Sequence, residues 1–188
     1  MSSVAPIVFA VVVTTLPLVV RVYDAAGVPS GTLERAHVTV TQTLHLVRIE
    51  PIWRACRGNV CADPPKQDEV IVRIVRAEER GSPDLLGSAM VDVDGHAGTL
   101  ATIYLDRVEW LAGLSRTDSG RLLGRAIAHE IGHLLLGTSS HACAGLMRAR
   151  WLAGELQRDW PLDWMLSDRE GAEMRWRLFE RSAAATAR

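Results

Sequence analysis

The sequence predicts an α+β fold, α/β-like, with a twisted mixed sheet of about five strands. An early helix, a central helix and a C-terminal helix accompany the sheet. Three observations predict it. Short β-branched runs recur through the first hundred or so residues. Two long helical patterns with recognisable caps occupy the second half. The order of strand, helix, several strands and then helices suits helices packed on one sheet.

The elements follow in order. Leu18 to Tyr23 (LVVRVY) has the character of a buried strand. Asp24 to Gly31 is rich in turn residues and reads as a loop. Ser30 is a candidate helix cap, and Thr32 to Leu46 places Leu33, Ala36, Val40 and Leu44 at helical spacing. The β-branched residues at 38 to 41 work against that helix. Val47 to Trp53, Val70 to Val75, Leu86 to Val93 and Ala101 to Leu105 read as four further strands, the Leu86 run as an edge strand. Loops or turns are expected over Arg57 to Asp68, Glu78 to Pro83 and Gly95 to Gly98.

Thr117 and Asp118 are N-cap candidates for a helix from Ser119 to Leu136, which stops at Gly137, a usual residue just past a helix end. Its wide apolar surface predicts central burial. Ser167-Asp-Arg-Glu170 fits a capping box and opens a last helix to about Arg181.

The 188 residues suffice for one domain, assigned to 18–181, with a possible leader over 1–17 and a frayed tail over 182–188. Val4 to Val20 is mostly apolar, but Pro6 and Pro17 interrupt it and no basic residue precedes Arg21, so it is a poor membrane span. It reads either as a signal remnant running into the first strand or as a buried strand with a leader. The first reading leans toward a secreted or periplasmic protein. A formal net charge of −1 favours no nucleic-acid partner and no anionic membrane. A monomer is expected. Three cysteines exclude a disulfide-stapled scaffold. Cys56 and Cys61 could form a small loop disulfide or be two free thiols, and Cys143 is read as a bystander.

The chemistry concentrates in His129-Glu130-Ile131-Gly132-His133. Histidines four apart on a helix lie one turn apart on one face, where both imidazoles can bind one Zn²⁺. Glu130 sits beside that face, placed to take a proton from water activated by the metal. A third ligand is expected from His141, because the chain can bend at Gly137 and return. The fourth position is then left for water, as a catalytic zinc requires. The expectation is one catalytic Zn²⁺ on His129, His133 and His141, with Glu130 as general base and a peptide or protein as substrate. Alternatives are a third ligand from Glu155, Asp159 or Glu170, or a zinc-stabilised binding module without catalysis. His37, His45 and His96 lack comparable context.

The stretch HEIGHLLLGTSSH followed by GLM resembles the metzincin clan of zinc peptidases, whose signature is HExxHxxGxxH followed by a methionine turn. Each of the two later gaps is one residue longer here, giving HExxHxxxGxxxH, and Ser139 stands at the clan's usual third-ligand position. The resemblance implies that Met147 forms a hydrophobic floor under the zinc. LGSAMVDVDGHAGTLATIYLD is similar to the edge-strand and inner-strand region of matrix-metalloprotease-like domains. That likeness implies that a peptide could add to the edge strand at Leu86 to Val91. Archaeal-type members carry a cysteine after the third histidine, as Cys143 does here, but then a four-cysteine site that this chain lacks. Where some members have a tyrosine two residues past the methionine, this chain has Ala149.

Overall fold

The computed structural model describes residues 14–58, 60–77, 85–92 and 97–186. The fold is α+β. Along the chain run β1 (Leu16–Asp24), α1 (Ser30–Leu46), β2 (Ile49–Ala55), β3 (Glu69–Val75), β4 (Gly87–Asp92) and β5 (Ala97–Tyr104). They are followed by α2 (Leu105–Ser115), α3 (Ser119–Leu136), α4 (Ala153–Arg158), a 3-10 turn (Pro161–Trp164) and α5 (Asp168–Thr186). The sheet order is β2-β1-β3-β5-β4. The first four of these strands are parallel, and β4 runs antiparallel along the β5 edge.

Strand alternation decides the two faces of the sheet. Val20 pairs with Val70, Val22 with Val72, and Val72 with Ala101, so these residues share one face. That face joins Ala36, Val40 and Leu44 of α1 and Leu123, Ile127 and Ile131 of α3 in one buried cluster. The other face carries Arg21, fully buried, whose guanidinium pairs with Glu69 and Asp63 and donates to the carbonyl oxygens of Asp63 and Pro64. This pairing fastens the β2–β3 connection over the sheet. The same connection holds the Cys56–Cys61 disulfide, which decides between the two readings of that pair.

The helix α1 survives its β-branched stretch because tertiary packing outweighs propensity: Val40 is fully buried, while the Thr39 and Thr43 hydroxyls are satisfied by the carbonyls of Arg35 and Thr39. Ser30 is its first residue rather than its cap, and no side chain caps it. Val47, expected in β2, instead closes α1, and Arg48 turns the chain at φ +59°. Leu16 and Pro17 of the expected leader already belong to β1, and residues 1–13 lie outside the described residues. The turn expected at Glu78 to Pro83 is outside them as well. The tail expected to fray from Ser182 is helical to Thr186. Two features explain the extension: Ala183 to Ala185 have high helix propensity, and the Arg181 guanidinium is anchored to the carbonyls of Gln67 and Glu69. Helices α2 and α4 have no counterpart in the sequence reading.

Two glycines set how deeply α3 is buried. A Cβ on Gly124 would lie 2.6 Å from Thr39 Cβ and 2.7 Å from the Ala36 carbonyl oxygen, and one on Gly120 2.7 Å from the Thr32 carbonyl oxygen. The close approach of α1 to α3 therefore requires both glycines. Helix propensity alone would make Gly124→Ala stabilising by about 1 kcal/mol. The clash involves backbone that cannot retreat and costs about 1–3 kcal/mol, on top of the close contact it replaces. We expect Gly124→Ala to destabilise the protein in urea unfolding; a gain in stability would refute the packing argument.

Asp118 caps α3 by accepting from the Arg121 N–H at 2.8 Å. Burial raises its carboxyl, but that N–H and the Arg35 guanidinium more than offset this and hold it below the ordinary aspartate value. A depressed folded-state pKa contributes stability above the unfolded-state value and loses it as pH falls through the folded one. Asp118→Ala is thus expected to cost about 1 kcal/mol near neutral pH. The penalty should shrink in acid, as read from urea unfolding across pH.

Candidate metal centre

Helix α3 carries His129, Glu130 and His133 inside the protein, all three less than a tenth exposed. The helix is enclosed nearly all round. Gly120 and Gly124 face α1, while Gly132 faces Met147, whose Sδ lies 2.5 Å from where a Cβ would be. Met147 is buried as expected and fills the space beside the histidine turn. Gly137 ends the helix at φ +59°, the left-handed geometry that favours glycine. The reversal that follows brings His141 back over the helix end.

The three imidazoles meet. His133 Nε2 lies 3.0 Å from His129 Nε2 and 3.3 Å from His141 Nε2, and the three ligand atoms all fall within 4.8 Å of one another. The tautomers of the two helix histidines follow from their other nitrogens. His129 Nδ1 is 2.9 Å from the Leu146 carbonyl oxygen, and His133 Nδ1 is 2.8 Å from that of Thr138. A carbonyl only accepts, so each Nδ1 carries the proton and donates. Burial pushes His129 down to about 4 and His133 below its ordinary value, so both are neutral near pH 7. Each Nε2 is therefore a bare lone pair, and two lone pairs face each other at 3.0 Å. A cation between them removes that repulsion. The arrangement fits a metal ion, with each helix ligand oriented by a carbonyl behind it, and His129, His133 and His141 can together hold one.

Glu130 faces the same cleft. Burial pushes its carboxyl up to about 8. A cation at the histidines would favour the ionised form. The cleft has a volume of about 410 Å³ and runs between β4, α2 and the segment after Met147. Its lining includes Leu86, Gly87 and Ala89 from the β4 side, Trp110 and Leu111 from α2, and Ala149, Trp151 and Leu152 from the segment after Met147.

The segment after the histidines is fastened in place by backbone hydrogen bonds and by side-chain stacking. Leu146 N–H donates to the Met165 carbonyl at 2.9 Å, and Ala142 N–H to the Met147 carbonyl at 2.8 Å. Gly145, at φ +73°, lies so close to the Met165 carbonyl that no side chain fits. Trp151 stands edge-on to His129, ring centroids 5.6 Å apart, and Trp164 stands edge-on to Trp151. The Arg125 guanidinium lies 3.9 Å over the Trp164 ring and pairs with Asp159. Trp151 and Trp110 belong to the cleft yet lie outside the sequence reading, and Gly87 enters that reading only as part of the edge strand. A lone tryptophan or strand glycine carries no spacing signal that would single it out.

The acids offered as alternative third ligands are committed elsewhere. Glu155 pairs with Arg148 and accepts from Leu152 N–H, Asp159 pairs with Arg121 and Arg125, and Glu170 closes the α5 capping box with Ser167. Ser139 lines the cleft, whereas Cys143 is exposed and free; neither joins the histidine group. His37 is half-buried and stacked on Trp53, and His45 pairs with Glu50. His96 lies outside the described residues. Among the described residues, no helix is long and apolar enough to cross a membrane.

No protein-family model matches the chain, and no curated protein matches it. The metal site therefore stands on its geometry. A ligand that binds only the folded state stabilises it by about 2.7 kcal/mol at a free concentration of 100 Kd. We expect Zn²⁺ to raise the Tm of the metal-free protein and a chelator to reverse the rise. The rise should vanish in His129→Ala and His133→Ala. Unchanged zinc affinity in His141→Ala would remove the third ligand from the site.

Proposed function

We propose that the protein is a zinc-dependent metallopeptidase of metzincin-like type, hydrolysing peptide bonds with Glu130 as general base. The observation that carries this reading is the pairing of two features in one open cleft. Three imidazole Nε2 atoms lie close together, and a buried carboxyl group without a partner among the described residues stands next to them in sequence and faces the same space. A site that only stabilised the fold would use four protein ligands and no neighbouring base. Three ligands leave a position open.

A bound Zn²⁺ would supply Lewis acidity, polarising a peptide carbonyl and making water a better acid. The chain's own groups do the rest. Nδ1–H donation to Leu146 and Thr138 keeps the Nε2 lone pairs of His129 and His133 facing each other. Glu130 takes a proton from the attacking water and delivers it to the leaving amine. β4 is the sheet edge, with its outer side unpaired among the described strands. An extended peptide can lie along it by backbone hydrogen bonds and cross the histidines. The apolar lining supplied by Leu86, Trp110, Leu111 and Leu152 suits an uncharged side chain. The Cys56–Cys61 disulfide fits an oxidising compartment, in keeping with export.

Hydrolysis of a mixed peptide library by the zinc-loaded protein, with mass-spectrometric detection, tests the reading. We expect Glu130→Gln to keep its zinc and lose about 10²–10⁴-fold in rate. A wild-type protein that binds zinc yet cleaves nothing would favour the non-catalytic binding module instead.

A further inference from the structure

Glu130 is placed by contact alone. Its carboxylate has no hydrogen-bond or ion-pair partner among the described residues, and burial is the one influence on its acidity. The other buried carboxylate among the described residues, Glu69, is held by Arg21. Something else must hold the Glu130 side chain in one orientation.

That something is the backbone at the head of the edge strand. A Cβ built on Gly87 would lie 2.8 Å from Glu130 Oε1, 2.9 Å from its Cγ and 3.0 Å from Ile103 Cδ1. The strand cannot easily draw back: Gly87 is buried and pairs with Ile103, and the Leu86 carbonyl accepts from Tyr104 N–H at 2.9 Å. Nor is glycine needed here for its backbone freedom, since Gly87 is not among the residues with positive φ. The glycine is needed for space. Of the side chains a methyl group would meet, Ile103 is locked in the core, whereas the Glu130 carboxyl borders the open cleft and makes the closer contact, so it is the one that moves.

We propose that Gly87 is a positioning residue for Glu130, the missing side chain at the head of β4 being the slot that fixes the carboxylate beside the histidines. The proposal rests on the hydrolase reading for its consequence and on the packing alone for its geometry. Gly87→Ala pushes the carboxylate out of the slot and leaves the three histidines untouched. A misplacement of about 1 Å costs roughly 10²-fold in rate.

The test is a double-mutant cycle on the full chain with Gly87→Ala, Glu130→Ala and the pair. The expected result is that Gly87→Ala binds one zinc as the wild type does, with kcat on the library's best-cleaved peptide lowered about a hundredfold and KM nearly unchanged. In metal-free protein, Gly87→Ala lowers Tm in the wild-type background and less in the Glu130→Ala background, where the two Glu130 contacts are gone and only the one with Ile103 remains. An unchanged kcat, or an equal loss of Tm in both backgrounds, overturns the proposal. Should Gly87→Ala fail to fold, recovery of folding in the pair supports the slot, and failure of the pair overturns it. If the wild type cleaves no peptide, the hydrolase reading fails by itself, and the Tm cycle alone decides whether Gly87 places Glu130.

Discussion

Two histidine nitrogens without protons face each other at 3.0 Å in the interior of this protein, and most of the structure around them serves to keep them there. Their other nitrogens are committed to backbone carbonyls on two different segments, one just past the helix end and one in the turn before Met147. Neither ring can turn away without abandoning a buried hydrogen bond, at a cost of about 1–3 kcal/mol. Protonation would relieve the repulsion, but burial opposes it. What remains is a site that a cation could fill, built from the desolvation of the helix and the placement of two carbonyls.

The helix that carries these residues is packed on several sides by devices of different kinds. Glycines let α1 and Met147 approach its backbone, and Leu134 fills the space that Gly98 of β5 leaves open. On the cleft side, a chain of aromatic and cationic contacts runs from His129 through Trp151 and Trp164 to Arg125 and Asp159. Arg125 lies one helical turn before His129, so the helix is tied to the segment after Met147 at both levels. This places His129, the carbonyl that orients it and a cleft wall on one rigid unit, the kind of support that the proposed chemistry would need.

The sheet supplies the other wall. Parallel strands buried under α1 and α3 form the stable body, and β4 alone runs antiparallel at the edge nearest the histidines. Its first residue meets Glu130 directly. The sheet edge and the acid are thereby in close contact, the packing on which the positioning proposal rests.

Local residue patterns determined a good deal. His129 and His133 lie on one face because helical periodicity permits nothing else, and the caps at Asp118 and Ser167 are local hydrogen bonds that any helix start there would form. The bend at Gly137 and the α+β order of elements are local as well. What the sequence could not determine depended on neighbours distant along the chain. Two free thiols and a disulfide have the same spelling, and the β2–β3 connection decided between them. Whether His141 or a downstream acid met the helix histidines turned on where Arg121, Arg125 and Arg148 found their partners. Trp151 and Gly87 entered the site only because folding placed them against His129 and Glu130. Periodicity and capping act over a few residues, whereas the desolvation and contact that shape this site arise only once α3, β4 and the segment after Met147 have packed together.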